Sequence, residues 1–162
     1  MLFLENRLFQ NSYPLVLGGV VGILFLFSGY SGTFGLGKAE VSTLFAAAIG
    51  AGGTMAGFVL TAKAIIIGLG DNSYIKAYRD SGGLDGLLQY MFSAIISSLT
   101  LVVLSLAFLI FPSAVAHSTP PSTNLWLFAL WAGSFVVVVA HVFRVASTMK
   151  TVILSVNAGK SR

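Results

Sequence analysis

Cysteine is absent from this sequence, and charge is scarce. A chain without cysteine can form no disulfide, no thiolate nucleophile and no cysteine-ligated metal site. Only 9% of the 162 residues are charged, whereas 56% are hydrophobic. A soluble domain needs far more charge to cover its surface. The shortage of charge therefore excludes an ordinary soluble domain.

Long apolar runs dominate what is present. Each of four runs exceeds the roughly 18 residues that a membrane-spanning helix needs. They cover residues 14–34, 41–69, 87–111 and 125–145. A polar loop, residues 70–86, joins the second and third runs, and a tail, residues 146–162, follows the fourth. We therefore predict one all-α domain over residues 1–162, a polytopic membrane protein with four transmembrane helices.

Lysine and arginine collect on one side of this arrangement. Eight of the nine lie near the N-terminus, near or within the 70–86 loop, or near the C-terminus, and only Lys38 lies in the opposite loops. Because basic residues mark cytoplasmic loops, both termini and the 70–86 loop are predicted to be cytoplasmic. The net charge of +4 is then a topology signal, and no direct nucleic-acid partner is expected.

The cytoplasmic loop is predicted to contain a short helix, "SYIKAYRDS". Tyr74 and Tyr78 share one face of it at i, i+4 spacing, beside Ile75, with Arg79 next along the chain. One interpretation is an ordinary interfacial helix with its tyrosines at the lipid headgroups. The other is a docking surface for a cytosolic protein.

The tail of the fourth helix carries a second candidate surface. From Leu125 to Val156 the helix would be about 48 Å long, whereas the hydrocarbon core is only about 30 Å thick. The second and fourth helices are therefore expected to extend into the cytoplasm. Met149, Val152 and Ile153 lie on one apolar stripe of this tail. The stripe is either an interfacial anchor or part of the docking surface.

Glycine is concentrated in the second run, "LFAAAIGAGGTMAGF". Gly50, Gly53 and Gly57 lie in it, and the last two form G-x-x-x-G, as Gly18 and Gly22 do in the first run. Small residues let helix backbones approach closely in lipid. Packing within one protomer explains these glycines as well as oligomerisation does, but their density favours a homo-oligomer, for which a tetramer is considered.

Polar residues inside the apolar runs are the remaining candidates. Ser97 and Thr100 in the third run either bond to backbone carbonyls or line a narrow polar path. His141 and Arg144 share a face of the fourth helix at i, i+3. Arg144 can extend to the inner interface, whereas His141 lies deeper and is either a hydrogen-bonded structural residue or a proton sensor.

Enzyme chemistry is not expected. No acidic residue lies within an apolar run, and the two histidines, His117 and His141, are predicted on opposite sides of the membrane. A carboxylate pair or a metal cluster at membrane depth is therefore excluded. "GAGGTMAG" follows no strand and is no phosphate loop. We predict a non-enzymatic protein without cofactor or metal.

The passage "GFVLTAKAIIIGLGDNSYIKAYRDSG", followed by "LLQYMFSAI", resembles small four-helix bacterial membrane proteins of anti-phage defence loci, such as the membrane subunit of the Kiwa system. The likeness covers about half of the chain and rests on helix order and loop character. It implies an inner-membrane homo-oligomer that holds a cytosolic partner, with the cytoplasmic loop and tail as the partner site.

Three functions remain open. The first is a non-enzymatic membrane sensor or scaffold that docks a cytosolic effector in phage defence, with lipid and further copies of itself as its other partners. The second is a pore or channel that changes membrane permeability. The third is an accessory subunit of a larger membrane complex.

The predicted orientation is easy to test because the chain has no native cysteine. A single cysteine at Ser118 should react with membrane-impermeant thiol reagents in intact cells. One at Ser81 should react only after the membrane is opened. The reverse labelling pattern would contradict the orientation.

Overall fold

The computed structural model describes residues 2–30, 38–70, 73–80, 82–111, 116–118 and 121–159. Five helices and one short hairpin make up this part of the chain. They are α1 (Leu2–Tyr30), α2 (Lys38–Gly68), α3 (Ser73–Asp80), α4 (Gly83–Ile110), β1 (Ala116–Ser118), β2 (Pro121–Thr123) and α5 (Leu125–Gly159).

The architecture is that of an all-α, multi-pass membrane protein, as predicted. The segments Ala39–Gly68, Gly83–Ile110 and Leu125–Ile153 are long and apolar enough to cross a membrane. α1 contributes a shorter apolar segment, Ser12–Phe27. Residues 31–34 of the predicted first span lie outside the described residues. Many large apolar side chains remain on the bundle surface, where lipid takes the place of a protein core.

The two polar connections are partly structured. The helix predicted in the 70–86 loop is α3, and it is followed by Gly82, whose φ of 74° lies in the left-handed region that glycine adopts without steric cost. In the loop between α4 and α5, β1 and β2 pair antiparallel, with Ala116 opposite Thr123. We call the end of the bundle where α3 lies the α3 end.

The helices pack in the order α2, α4, α5, α1. α4 lies between α2 and α5, and α1 packs chiefly along α5. Towards the hairpin end, Phe45 of α2, Phe108 of α4 and Trp131 of α5 form an aromatic cluster. The rings of Phe45 and Trp131 meet edge to face at 5.1 Å, and the indole Nε1 of Trp131 donates to Ser105 Oγ at 2.9 Å. This buried hydrogen bond joins α4 to α5.

An aliphatic cluster forms the other half of the core. Val59 and Ala62 of α2, Leu87 and Met91 of α4 and Val145 of α5 are all buried in it. We call it the inner cluster, because it lies next to α3. The two clusters divide the bundle into an aromatic half and an aliphatic half.

Glycines bring α1 against α5. A Cβ added at Gly18 would lie 2.6 Å from Gly133 O, and one added at Gly133 would lie 2.8 Å from Gly18 O. A Cβ at Gly22 would lie 3.2 Å from Ala129 O. Only glycine permits the two backbones to come this close. Gly18 and Gly22 therefore pack within the protomer, which was one of the two interpretations of the sequence.

Gly18→Ala should destabilise the protomer, whereas Gly19→Ala should not. The added methyl group at Gly18 meets the backbone of α5, and overpacking of this kind costs about 1–3 kcal/mol. At Gly19 nothing lies within 4 Å, so alanine should be neutral or should stabilise the helix by up to about 1 kcal/mol. Thermal unfolding in detergent measures both variants. Equal unfolding temperatures would rule out the close contact.

Candidate functional site

The α3 end is the first candidate site, and α3 itself is anchored there by two side chains. Ile75 is only 5% exposed and belongs to the inner cluster, and Tyr78 packs against the same cluster. The Tyr78 ring also lies against Gly83, where a Cβ would come within 2.6 Å of its Cζ. A helix of eight residues is unstable alone, so this packing is what holds α3 in place.

The tail of α5 is held by the same cluster. Val152 is buried in it, and Met149 packs against it from a partly buried position. Ile153, one residue further on, is 54% exposed. The tail therefore turns one side of its apolar stripe towards α3 and α4 and leaves the other side open.

These contacts correct part of the predicted docking surface. Ile75 and Val152 are buried inside the protomer and cannot contact a partner. Tyr78 and Met149 are only partly accessible. Arg79 and Ile153 are exposed and remain candidates. Of Tyr74, the structure describes the backbone in α3 but not the side chain.

The accessible rim of the α3 end carries charged side chains of both signs, among them Asp80 and Asp85. Lys76 and Arg79 on α3 and Lys150 on α5 are all exposed. Between α3 and α5 lies a recess of about 440 Å³ lined by Tyr78, Ser147, Thr148, Thr151 and Val152. We call it the α3–α5 recess.

Arg144 lies one helical turn deeper than the α3–α5 recess. Its Cζ is 3.5 Å from the ring centroid of Tyr90 and 5.8 Å from that of Tyr13. Tyr13 in turn donates its hydroxyl hydrogen to Ala140 O at 3.2 Å. A guanidinium group over an aromatic face is attracted by the ring quadrupole. Arg144 thereby ties α1, α4 and α5 together, a role that sequence alone did not indicate.

His141 is partly buried one turn before Arg144 on α5. The predicted pairing of this histidine on one face with Arg144 is present in the continuous helix α5. Its role as a structural residue or as a proton sensor stays a prediction.

Ser97 and Thr100 are the named residues of the possible polar path on α4. Thr100 is exposed and donates to Ile96 O at 2.8 Å, and the partly buried Ser97 donates to Ala94 O at 3.1 Å. Both hydroxyls therefore bond to the backbone of their own helix, as serine and threonine commonly do in apolar helices. These bonds are the ones that the first alternative expects, and the polar path stays a prediction.

The second candidate site is one face of α2. Gly50, Gly53 and Gly57 are exposed, and a Cβ added at any of them would meet nothing within 4 Å. We call the strip they form with other exposed small residues the open face of α2; its members are Thr43, Ala46, Gly50, Gly53, Gly57, Thr61 and Ala64. Thr43 and Thr61 bond to Ala39 O and Gly57 O, each at 2.9 Å, so the strip is smooth and its hydroxyls are satisfied.

Sequence reasoning missed the glycine that α2 uses inside the protomer. A Cβ at Gly52 would lie 2.8 Å from Val102 Cγ2 and 3.3 Å from Ser98 O. Sequence reasoning also missed Gly133, which packs against Gly18, and the hydrogen bond from Trp131 to Ser105. A signal existed for that bond, because a tryptophan at membrane depth needs an acceptor for its N–H group.

Among the residues that the structure describes, no three histidine, aspartate or glutamate side chains come together where they could hold a metal ion. Comparison of the chain with protein families, with curated proteins and with solved structures found no match. The α3 end and the open face of α2 are therefore the two surfaces from which a function can be inferred.

Replacing Gly53 and Gly57 by leucine should leave the protomer stable but prevent its association with further copies. The new side chains enter open space within the protomer, whereas they would separate two helices packed on this face. Gly52→Leu is the matched comparison and should lower the unfolding temperature, because its side chain meets Val102 and the backbone of Ser98. Mass measurement in mild detergent and thermal unfolding separate the effects. An unchanged oligomer mass in the Gly53/Gly57 variant would show that this face contacts lipid.

Proposed function

We propose that this protein is a non-enzymatic scaffold or sensor subunit of a bacterial inner membrane. In this proposal it assembles with copies of itself through the open face of α2. It presents the α3 end to a cytosolic effector protein, and the effector acts while the membrane subunit anchors it. The setting is anti-phage defence.

The observation that carries the proposal is the way α3 is held. Ile75 and Tyr78 fix the helix on the inner cluster, and Lys76 and Arg79 on the same helix are exposed. A binding surface whose side chains are already ordered loses less conformational entropy on association. Arginine is also enriched among interface residues that carry binding energy. A mere connection between two spanning helices would not need a packed amphipathic helix.

Assembly through α2 is supported by a contrast along that helix. Gly52 accommodates α4, whereas among the described residues nothing lies within 4 Å of a Cβ added at Gly50, Gly53 or Gly57. Lipid-facing positions do not require small residues, and transmembrane helix interfaces are enriched in them. Close packing of a second copy of the chain on the open face would require the small residues that are found there.

The setting rests on the resemblance to membrane proteins of anti-phage defence loci. The quoted passage, residues 57–82, contains the whole of α3 and so includes part of the proposed docking end. A pore remains the competing function and is tested together with docking.

Lys76→Ala combined with Arg79→Ala should weaken capture of the cytosolic partner by at least about tenfold, because both cations lie on the exposed side of α3. The partner is sought among the products of adjoining genes, expressed together with this chain and co-purified in detergent. Lys38→Ala removes one charge at the predicted opposite side and should leave capture unchanged. The double variant should keep the unfolding temperature of the parent protein.

Two results would count against the proposal. One is capture that the double variant and Lys38→Ala leave equally unaffected. The other is ion flux through liposomes that contain the purified chain alone, unaltered by the α3 changes, which would favour the pore.

A further inference from the structure

The α3–α5 recess lies between the packed helix α3 and the tail of α5. We propose that it binds the phosphate group of an anionic phospholipid from the leaflet on the α3 side. This inference does not depend on the proposed function, because a lipid can occupy the recess with or without a protein partner.

The recess is a built cavity with two rigid walls. One wall is Tyr78, whose ring is fixed against Gly83, and the other is the α5 helix. Ser147, Thr148 and Thr151 give this wall three hydroxyl groups on adjacent turns, beside the buried Val152. The volume of about 440 Å³ exceeds what a few water molecules need.

The depth of the recess matches the lipid headgroup layer. From Leu125, Ser147 is about 33 Å and Thr151 about 39 Å along α5 at 1.5 Å per residue. The hydrocarbon core is about 30 Å thick, and the bilayer with its headgroups is about 40–45 Å. If Leu125 marks the far edge of the hydrocarbon, the recess opens just beyond the near edge. A typical tilt of about 20° shortens these depths by only about 2 Å.

The charge around the recess suits a phosphate group. In the part of the α3 end whose side chains are described, five basic residues occur with two acidic ones, Asp80 and Asp85; the basic residues are Lys63, Lys76, Arg79, Arg144 and Lys150. Arg144 lies one helical turn before Thr148 on α5, with its guanidinium group over the Tyr90 ring. Basic recesses between membrane helices on the cytoplasmic side are a recognised site for anionic headgroups.

The hydroxyls can donate to a phosphate at little cost. Thr148 donates to Arg144 O at 2.9 Å and Thr151 to Ser147 O at 3.1 Å, both within α5. These are extra bonds on carbonyls that already serve the helix, so a hydroxyl can rotate from the carbonyl to a phosphate oxygen. Hydrogen bonds to a charged group are the stronger ones.

The test measures lipid retained by the purified full-length chain. The protein is extracted from membranes that contain phosphatidylglycerol and phosphatidylcholine with identical acyl chains, and bound lipids are counted by native mass spectrometry. The parent protein should retain phosphatidylglycerol in preference to phosphatidylcholine. The combined change Ser147→Ala, Thr148→Val and Thr151→Val should lower phosphatidylglycerol retention by about tenfold or more, since it removes the donors to a charged ligand.

The chain offers a matched control for this variant. Ser134→Ala, Thr54→Val and Thr100→Val remove the same three groups from positions outside the recess, where each hydroxyl bonds to its own helix. This control should retain lipid like the parent protein. Ser147→Phe, which fills the recess and keeps both threonines, should lower retention as the triple change does, and thermal unfolding confirms that each variant is folded.

Three results would overturn the proposal. The first is equal retention of the two lipids by the parent protein, or equal retention of phosphatidylglycerol by the triple variant and its control. The second is displacement of the lipid by millimolar inorganic phosphate, which would make the recess a site for a free anion. The third is a triple variant that keeps its lipid but loses a co-purified cytosolic protein, which would make the recess a protein contact.

Discussion

Apolar helices in lipid gain nothing from burying apolar surface against one another, so this bundle depends on how closely its helices can approach. The approach is closest where Gly18 of α1 meets Gly133 of α5 and where Gly52 of α2 meets α4. The aromatic cluster, with its hydrogen bond from Trp131 to Ser105, adds a specific polar link that lipid cannot supply. With α1, α4 and α5 aligned in this way, Arg144 lies between Tyr13 and Tyr90.

The same constraint separates the packed surface of α2 from its open face. Consecutive residues of a helix point about 100° apart, so Gly52 and Gly53 serve different surfaces. Gly52 contacts α4, and Gly53 lies on the open face. The same separation occurs between neighbouring residues at the α3 end. Ile75 is buried and the next residue, Lys76, is exposed; likewise Val152 is buried and Ile153 is exposed. The protomer thus holds itself together with one side of each element and leaves the other side for lipid or a partner.

The sequence was sufficient for α3 and for three of the four predicted spanning helices, whereas α1 has only a shorter apolar segment among the described residues. Hydrocarbon thickness sets a length that uninterrupted apolar runs reveal directly, and Gly82 marks the break between α3 and α4. Which face of a helix packs inward could not be predicted, because α2 and α5 are apolar or small on nearly every side. The sequence pattern therefore predicted Ile75 and Val152 as docking residues, whereas both are buried in the inner cluster. The rings around Arg144 come from Tyr13 and Tyr90 on two other helices, and no local pattern links them.

The central claim is that copies of this chain meet through the open face of α2. The cysteine-free sequence allows a direct measurement by disulfide formation between single cysteines in the native membrane, since a disulfide forms only when two Cβ atoms come within about 4.5 Å. Gly53→Cys should give cross-linked dimers under mild oxidation. Val103→Cys, at an exposed position of α4, should stay monomeric under the same conditions. Cross-linking at Val103 without cross-linking at Gly53 would contradict the account.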